Sequence, residues 1–261
     1  MCTSPQVPLL TLWHDEPALG VINMAADELL AEEVASQGGI AVRLYGWSRP
    51  TLSLGGFQKV AAATPVARAA GLDLVRRPSG GGAILHGTDI TYAAAVARGH
   101  ALAGAPQQLY DALHETLVQE LRQAGVAASM VSSAQASGGG SGESAPDGPL
   151  LCFDRRAVGD VVLGSHKLMG SAQRRLAGSI LQHGSLLVQQ CDQAGPDHTR
   201  PGLLELTGSS EGDLAERWMR RLAASLGLRL GFAGPFVCES RLERLAERAK
   251  RFSSPDWIGR R

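Results

Sequence analysis

The stretch RRPSGGGAILHG, residues 76–87, sets two arginines, a proline and a serine before three consecutive glycines, then an apolar run ending in a histidine. Strand-forming sequence lies on both sides, LDLVRR (72–77) before it and ITYAAAVARG (90–99) after it. A glycine triplet between strands has two readings. In one it only satisfies a tight turn or bulge. In the other, bare backbone amides join Arg76, Arg77, Ser79 and His86 around a ligand that passes too close for any side chain, as suits a carboxylate, a phosphate or a thioester carbonyl. Nucleotide-binding templates fail here. No Gly-Lys-Ser/Thr follows the glycines, and adjacent glycines leading into a strand are not the dinucleotide fingerprint.

Working outward, Asn23 is positioned to cap a helix over 23–36, with Met24, Leu29, Leu30 and Val34 near one face and Gly38-Gly39 ending it. IAVRLYGW (40–47) predicts a strand, RPTLSLGGFQ (49–58) a proline turn and a second extended run, and Pro65 the start of a short helix that Gly71 ends. Leu109, Leu113, Leu117 and Leu121 recur every four residues and predict a helix over 106–125. Residues 132–148, SSAQASGGGSGESAPDG, hold too little apolar surface to order themselves and are expected to form a mobile loop. Beyond them LLCFD, AVGDVVLG, HKLMGSAQRR and GSILQHGSLLV predict consecutive short strands, with Gly164-Ser165 as a two-residue hairpin turn. The last 50 or so residues predict two helices, and the Glu/Arg spacing of ESRLERLAERAKRF (239–252) suggests a solvated face.

Composition removes several function classes. The chain has 261 residues, 44% of them hydrophobic, enough for a sizeable core. Its 25 basic and 25 acidic residues cancel, so no bulk charge favours nucleic acid or an anionic membrane. Four cysteines, Cys2, Cys152, Cys191 and Cys238, are scattered without a CxxC pair, which argues against a zinc site and suits a reducing compartment. Neither a secretory leader nor a membrane-length apolar run is present, and a cytoplasmic protein is expected.

Four motifs in order, SLGGFQ (53–58), RRPSGGGAILH (76–86), HKLMGSAQRR (166–175) and LQHGSLL (181–187), resemble the lipoate/octanoate transferases and ligases. The resemblance covers about residues 23–188. It implies a mixed α/β catalytic domain of the biotin/lipoate ligase type, a mixed sheet flanked by helices, over residues 1–205, with 206–261 as a helical extension. It also implies that the glycine segment lies along a medium-chain acyl group and its activated carbonyl. LLCFDRRAVGDVVLGSHKLMGSAQ (150–173) is similar to the cysteine-type octanoyltransferases, which carry a cysteine ahead of the hairpin whose second strand bears a lysine. Cys152 and Lys167 fit that arrangement, whereas the other cysteines match no motif.

The chemistry explains the pairing. Thioester exchange needs a thiolate, and a nearby ammonium increases the thiolate fraction at neutral pH. Lys167 fits that role or, equally, that of oxyanion partner to the acyl carbonyl. Alone, Cys152 would read as a small buried hydrophobe and Lys167 as an exposed strand lysine. The implied substrate-binding set is Arg77, Ser79, Gly80, Gly81, Gly82, His86, Gly170, Ser171, Ala172 and His183, with His183 either orienting the acceptor or filling a polar niche in the core. The expected reaction is ping-pong transfer of octanoate from acyl-carrier protein through Cys152 to a lysine of a lipoyl domain, on a glycine cleavage H protein or a 2-oxoacid dehydrogenase subunit. No metal or cofactor is called for. ATP enters only if the chain is instead a lipoate-protein ligase. Transfer between two lipoyl domains and a non-catalytic acyl-binding module are further alternatives. Both carriers are small acidic domains in such families, so Arg76, Arg77, Arg155, Arg156, Arg174 and Arg175 are candidates for a local basic patch.

Overall fold

The computed structural model describes residues 8–136, 150–176, 178–191, 200–208 and 212–260. Residues 137–148 of the expected mobile stretch lie outside the described residues, while Ser132 closes a turn by donating its amide and hydroxyl to the Gln135 side chain.

Strand β1 (Leu9–His14) leads to helix α1 (Gly20–Gln37), β2 (Ile40–Tyr45), β3 (Thr51–Leu54), α2 (Val60–Ala69), β4 (Asp73–Arg76), β5 (Ile84–His86) and β6 (Asp89–Ala97). Next come α3 (Ala101–Gly104), α4 (Pro106–Gln123), β7 (Ser129–Met130) and a 3₁₀ turn at Cys152–Asp154. The chain continues with β8 (Val161–Leu163), β9 (His166–Leu176), β10 (Ser179–Leu187), α5 (Leu203–Thr207), α6 (Leu214–Ser225), β11 (Arg229–Phe232), α7 (Leu242–Ser253) and α8 (Pro255–Gly259). Among the described residues one sheet runs β11-β1-β2-β6-β10-β9-β8-β7 and a smaller one β4-β3-β5. Both are mixed. β1 is parallel to β2 and β11, the β2-β6-β10-β9-β8-β7 run is antiparallel, and β3 is parallel to β4 but antiparallel to β5.

The period-two alternation of β6 sets the layers. Tyr92, Ala94 and Val96 join Val42 and Leu44 in one core, closed by Leu109, Leu113 and Leu117 of α4 and by Trp218 and Leu222 of α6. Ala93, Ala95 and Ala97 face the other way with Ala41, and these small side chains let α1 bury Met24, Leu29 and Leu30 against the sheet. A third cluster, containing Leu52, Leu54, Ala63, Leu85 and Leu151, joins the small sheet to α2. The C-terminal segment enters the first two cores, through Trp218 and Met219 and through Phe236, Leu245 and Phe252, and supplies β11 to the main sheet. No helix among the described residues is long and apolar enough to cross a membrane.

Several elements differ from expectation for identifiable reasons. Helix α1 begins at Gly20, so Asn23 lies inside it, and its amide instead donates to the Gly46 and Ala18 carbonyls while its oxygen accepts from Arg43. Pro65 sits within α2 rather than at its start. LLCFD does not form a strand: Leu151 makes a single bridge to Ala83, and Cys152 then opens the 3₁₀ turn. The glycines lead first into β5 of the small sheet, and only then into β6. The arginines in and just before α7 are not on a simply solvated face: Arg241, Arg244, Arg248 and Arg251 all pair with Glu28, Glu32 or Glu33 of α1. The hairpin turn at Gly164-Ser165 and the leucine face of α4 are as expected.

A fully buried cation crosses the α1 side of the sheet. Arg43 of β2 pairs with Asp15 and Asp27, donates to the Asn23 side chain at 2.8 Å, and stacks 4.0 Å from the Tyr45 ring centroid. Asp15 also accepts from the Phe236 and Val237 amides, which ties down the C-terminal segment. Replacing Arg43 by Met would strand two buried carboxylates, so a loss of about 3–5 kcal/mol in urea unfolding at neutral pH is expected. Unchanged stability would show that the cation contributes no more than a methylene chain.

Candidate active site

Two backbone devices bring the sulfur and the amine together. The Cys152 amide donates to the Ala83 carbonyl at 2.7 Å and the Ala83 amide to the Leu150 carbonyl at 2.9 Å, so the glycine segment and the cysteine turn are joined as a short parallel bridge. The Gly164-Ser165 turn, with Gly164 at φ +57°, then returns the chain so that Lys167 lies opposite Val162. Lys167 Nζ ends 3.5 Å from Cys152 Sγ and 3.4 Å from the Cys152 carbonyl oxygen.

Lys167 is buried, and its closest charged partner is Asp160, whose Oδ2 accepts at 2.7 Å. Burial alone would lower the amine's pKa, but Cys152 and Asp160 outweigh it and raise the pKa above the ordinary lysine value. Burial pushes the Asp160 carboxyl upward, against the pull of Lys167 and of the Ala157 amide, which donates at 2.7 Å. With both donors pointing at the carboxylate, the ionic form is the one that the geometry satisfies. Gly170 makes the arrangement possible, since a Cβ there would fall 2.6 Å from Nζ.

The glycine loop is held close by the protein's own chain. A Cβ on Gly82 would lie 2.9 Å from the Cys152 backbone, and one on Gly55 would strike the Gly81 carbonyl. Gly81 has φ +89°, a left-handed backbone that favours glycine. Arg77 does not point at a ligand carboxylate: it donates to the Gly80 and Gly82 carbonyls at 3.2 and 2.7 Å and to Ser53, and burial pulls its pKa down to about 10. Arg76 likewise donates inward, to the Gly55, Gln58 and Ile258 carbonyls. Both are buried and cannot belong to a surface basic patch. Of the remaining candidates, Arg155, Arg156 and Arg174 are half-buried and Arg175 is exposed.

A cleft opens beside the sulfur, its walls formed by Met24, Tyr45, Trp47, Ile84 and Ala172, with Cys152 and Gly170 also on its surface. Of the predicted residues, Arg77, Gly81, His86, Gly170, Ser171, Ala172 and His183 line it, whereas Ser79, Gly80, Gly82 and Lys167 do not. His183 lies between Asp27, 3.2 Å from Nδ1, and the Ser79 hydroxyl at Nε2. His86 is held the same way, between Asp89 at 2.8 Å and Ser53 at 2.7 Å, and stacks on Trp47 with centroids 3.9 Å apart. In each case the carboxylate can only accept, which places a ring proton on Nδ1. Burial is the main reason that His86 stays below its ordinary pKa.

Ser171 extends this order into the wall behind the cleft. Its Oγ lies 2.6 Å from His114 Nε2 and 2.7 Å from the Tyr92 hydroxyl, which accepts from Gln182 at 2.6 Å. His114 Nδ1 donates to the Gly159 carbonyl at 2.7 Å, and its ring stacks on Tyr110. Sequence reasoning missed Asp27, Asp160, Trp47, Tyr92 and His114. A single acid in the apolar run GDVVLG was the only signal for Asp160; the others look like ordinary core and helix residues until the sheet assembles.

Burial pushes the His114 pKa down to about 3, so the fold binds the neutral ring. The unfolded chain takes up that proton near pH 6.5 and the folded chain only near 3, so this contribution to stability is full above pH 6.5 and falls as the pH drops through that window, by up to ~1.4 kcal/mol per unit. Urea midpoints measured between pH 7 and 4 should therefore fall more steeply for the wild type than for His114→Gln. Parallel curves would show that the ring is not held neutral.

The lipoyl protein ligase A/B catalytic-domain model matches residues 20–195. Octanoyltransferase LipM of Moorella thermoacetica is 31% identical over 263 residues, covering 92% of this chain and 93% of its own length. That of Symbiobacterium thermophilum is 35% identical over 212 residues, 78% of this chain and 72% of its own. For Kyrpidia tusciae LipM the identity is 38% over 183 residues, 68% of this chain and 65% of the relative. Among solved structures, a lipoate-protein ligase A bound with ATP superposes with TM-score 0.73 at 18% identity, covering 95% of this chain and 98% of its own. The Thermoplasma acidophilum protein Ta0514 with bound lipoic acid gives 0.72 at 20%, covering 97% and 100%. At these identities the structures establish a shared fold.

Proposed function

The chain belongs to the lipoyl protein ligase A/B catalytic-domain family and is an acyltransferase, and from that premise we propose that it moves an octanoyl group from an acyl-carrier-protein thioester, through Cys152, to a lysine of a lipoyl domain. The observation that carries this reading is a thiol and a buried lysine amine 3.5 Å apart at the edge of an apolar cleft. Octanoyltransferase activity is also what the relatives' names record.

In the first half-reaction the Cys152 thiolate attacks the thioester carbonyl, and the carrier's thiol leaves with a proton from solvent. The Lys167 ammonium lies where it stabilises negative charge first on sulfur and then on the carbonyl oxygen. The octanoyl tail occupies the cleft between Trp47, Met24 and Ile84. In the second half-reaction a neutral lysine amine of the lipoyl domain attacks the Cys152 thioester, the amide forms, the sulfur leaves as thiolate, and the proton lost by the amine passes to solvent, which balances the one taken up in the first half-reaction. The acyl group arrives already activated, so the sequence balances without ATP or a metal. With Arg76 and Arg77 buried, Arg155, Arg156, Arg174 and Arg175 are left to meet the acidic surface of a carrier domain.

Intact-mass analysis with octanoyl-acyl-carrier protein and no ATP tests the assignment. The wild type should gain one octanoyl group and pass it to a lipoyl domain. Cys152→Ala should do neither, and Lys167→Ala should acylate about 10²–10³-fold more slowly, the usual effect of losing one oxyanion donor. Transfer that survives Cys152→Ala would remove the nucleophile, and transfer that requires ATP and free octanoate would replace the reading with a ligase. Transfer only from an octanoylated lipoyl domain would change the donor.

A further inference from the structure

The acyl-enzyme has a hazard built into its geometry. Resting on the reading that Cys152 carries the acyl group, the thioester forms with Lys167 Nζ 3.5 Å from its sulfur. A neutral amine at that distance is itself an acceptor. Its nitrogen would attack the thioester carbon, the carbon–sulfur bond would break, and the proton leaving nitrogen would end on the Cys152 thiol. The product, an octanoyl amide on Lys167, is far more stable than a thioester, and each such event would remove one enzyme molecule.

Burial favours the neutral amine at this site, since a charged amine is poorly solvated inside a protein. In the free enzyme two groups oppose that tendency, the Cys152 sulfur and the Asp160 carboxylate. Acylation cancels the first, because a thioester sulfur carries no charge. Among the other groups facing Lys167, His114 is held neutral, the Tyr110 hydroxyl is held protonated by burial and by Asp160, Phe153 offers a ring face 5.5 Å from Nζ, and Asp154, which borders the same surface hollow as Lys167, is paired with Arg200. Asp160, 2.7 Å away and itself buried, is then the anion left beside the amine.

We infer that Asp160 is a positioning residue that keeps Lys167 protonated in the acyl-enzyme and so prevents self-acylation, which reserves the octanoyl group for an external lysine. The same ion pair holds the ammonium beside the sulfur for the transfer chemistry, so one carboxylate both orients and restrains the lysine.

Asp160→Asn removes the charge while preserving the shape and the acceptor for the Ala157 amide. After incubation with octanoyl-acyl-carrier protein and no acceptor, the wild-type adduct should be released completely by neutral hydroxylamine. The Asp160→Asn adduct should become hydroxylamine-resistant and map to the Lys167 peptide, with activity declining as turnovers accumulate. Adding Lys167→Arg to the variant should abolish the resistant label. A folded Asp160→Asn enzyme whose adduct stays fully labile overturns the inference, and so does a Lys167 amide in the wild type at pH 7.5. Where the Asn variant does not fold, Asp160→Ser is read the same way. Where neither folds, resistant label on wild-type Lys167 should appear only in strongly alkaline buffer, and label that never appears there overturns the inference. A wild type that forms no Cys152 adduct overturns the parent reading, a result distinct from all of these.

Discussion

The architecture depends on a single buried cation. Arg43 sits at the centre of the main sheet beneath α1, and its guanidinium binds Asp15 and Asp27 at once. Asp15 reaches the C-terminal segment through the Phe236 and Val237 amides, and Asp27 reaches the cleft through Tyr45 and His183. Such a network is a constraint more than a source of stability. Three charged groups taken out of water are tolerable only while all of them remain paired, so α1, β2, the segment before α7 and the His183 ring must keep one relative arrangement.

Around that frame, close approach of the chain to itself creates the site. Gly82 lacks a side chain because the Cys152 backbone lies against it, and Gly55 lacks one because the Gly81 carbonyl does. Arg77 gathers the loop's carbonyls from inside. This packing places a cysteine from one loop and a lysine from the following hairpin beside one apolar cleft. Glycine and arginine therefore act here mainly as construction materials, and the groups nearest the proposed chemistry are sulfur, ammonium and carboxylate.

Protons in the site are ordered as carefully as atoms. Asp89, Asp27 and the Gly159 carbonyl can only accept hydrogen bonds, so they set the tautomers of His86, His183 and His114. Burial adds to this for Asp89, where its tendency to protonate the carboxyl is outweighed by His86, Ser185 and Thr91, leaving the pKa below the ordinary value.

Much of this was legible in the sequence. The strand-glycine-strand pattern, the leucine face of α4, the Gly164-Ser165 hairpin and the ordered motifs depend on local periodicity and turn chemistry, which act over a few residues and survive in one dimension. Cys152, Arg77, His86, Gly170 and His183 of the cleft were named as well, because the motifs carry them, whereas its apolar walls Tyr45, Trp47 and Ile84 were not. Whether Arg77 faces a ligand or its own loop, whether Asn23 caps a helix or bonds to Gly46, and whether the α7 arginines meet water or α1 were decided by long-range contact. Asp160 shows why. Its distance of 2.7 Å from Lys167 follows from the register of β8 on β9 and from the missing Cβ at Gly170. The sequence by itself determined the elements and the reactive residue types; the tertiary structure decided which charges meet, because electrostatic pairing depends on separation in space and on the exclusion of water, and neither exists until the sheet and its helices have closed.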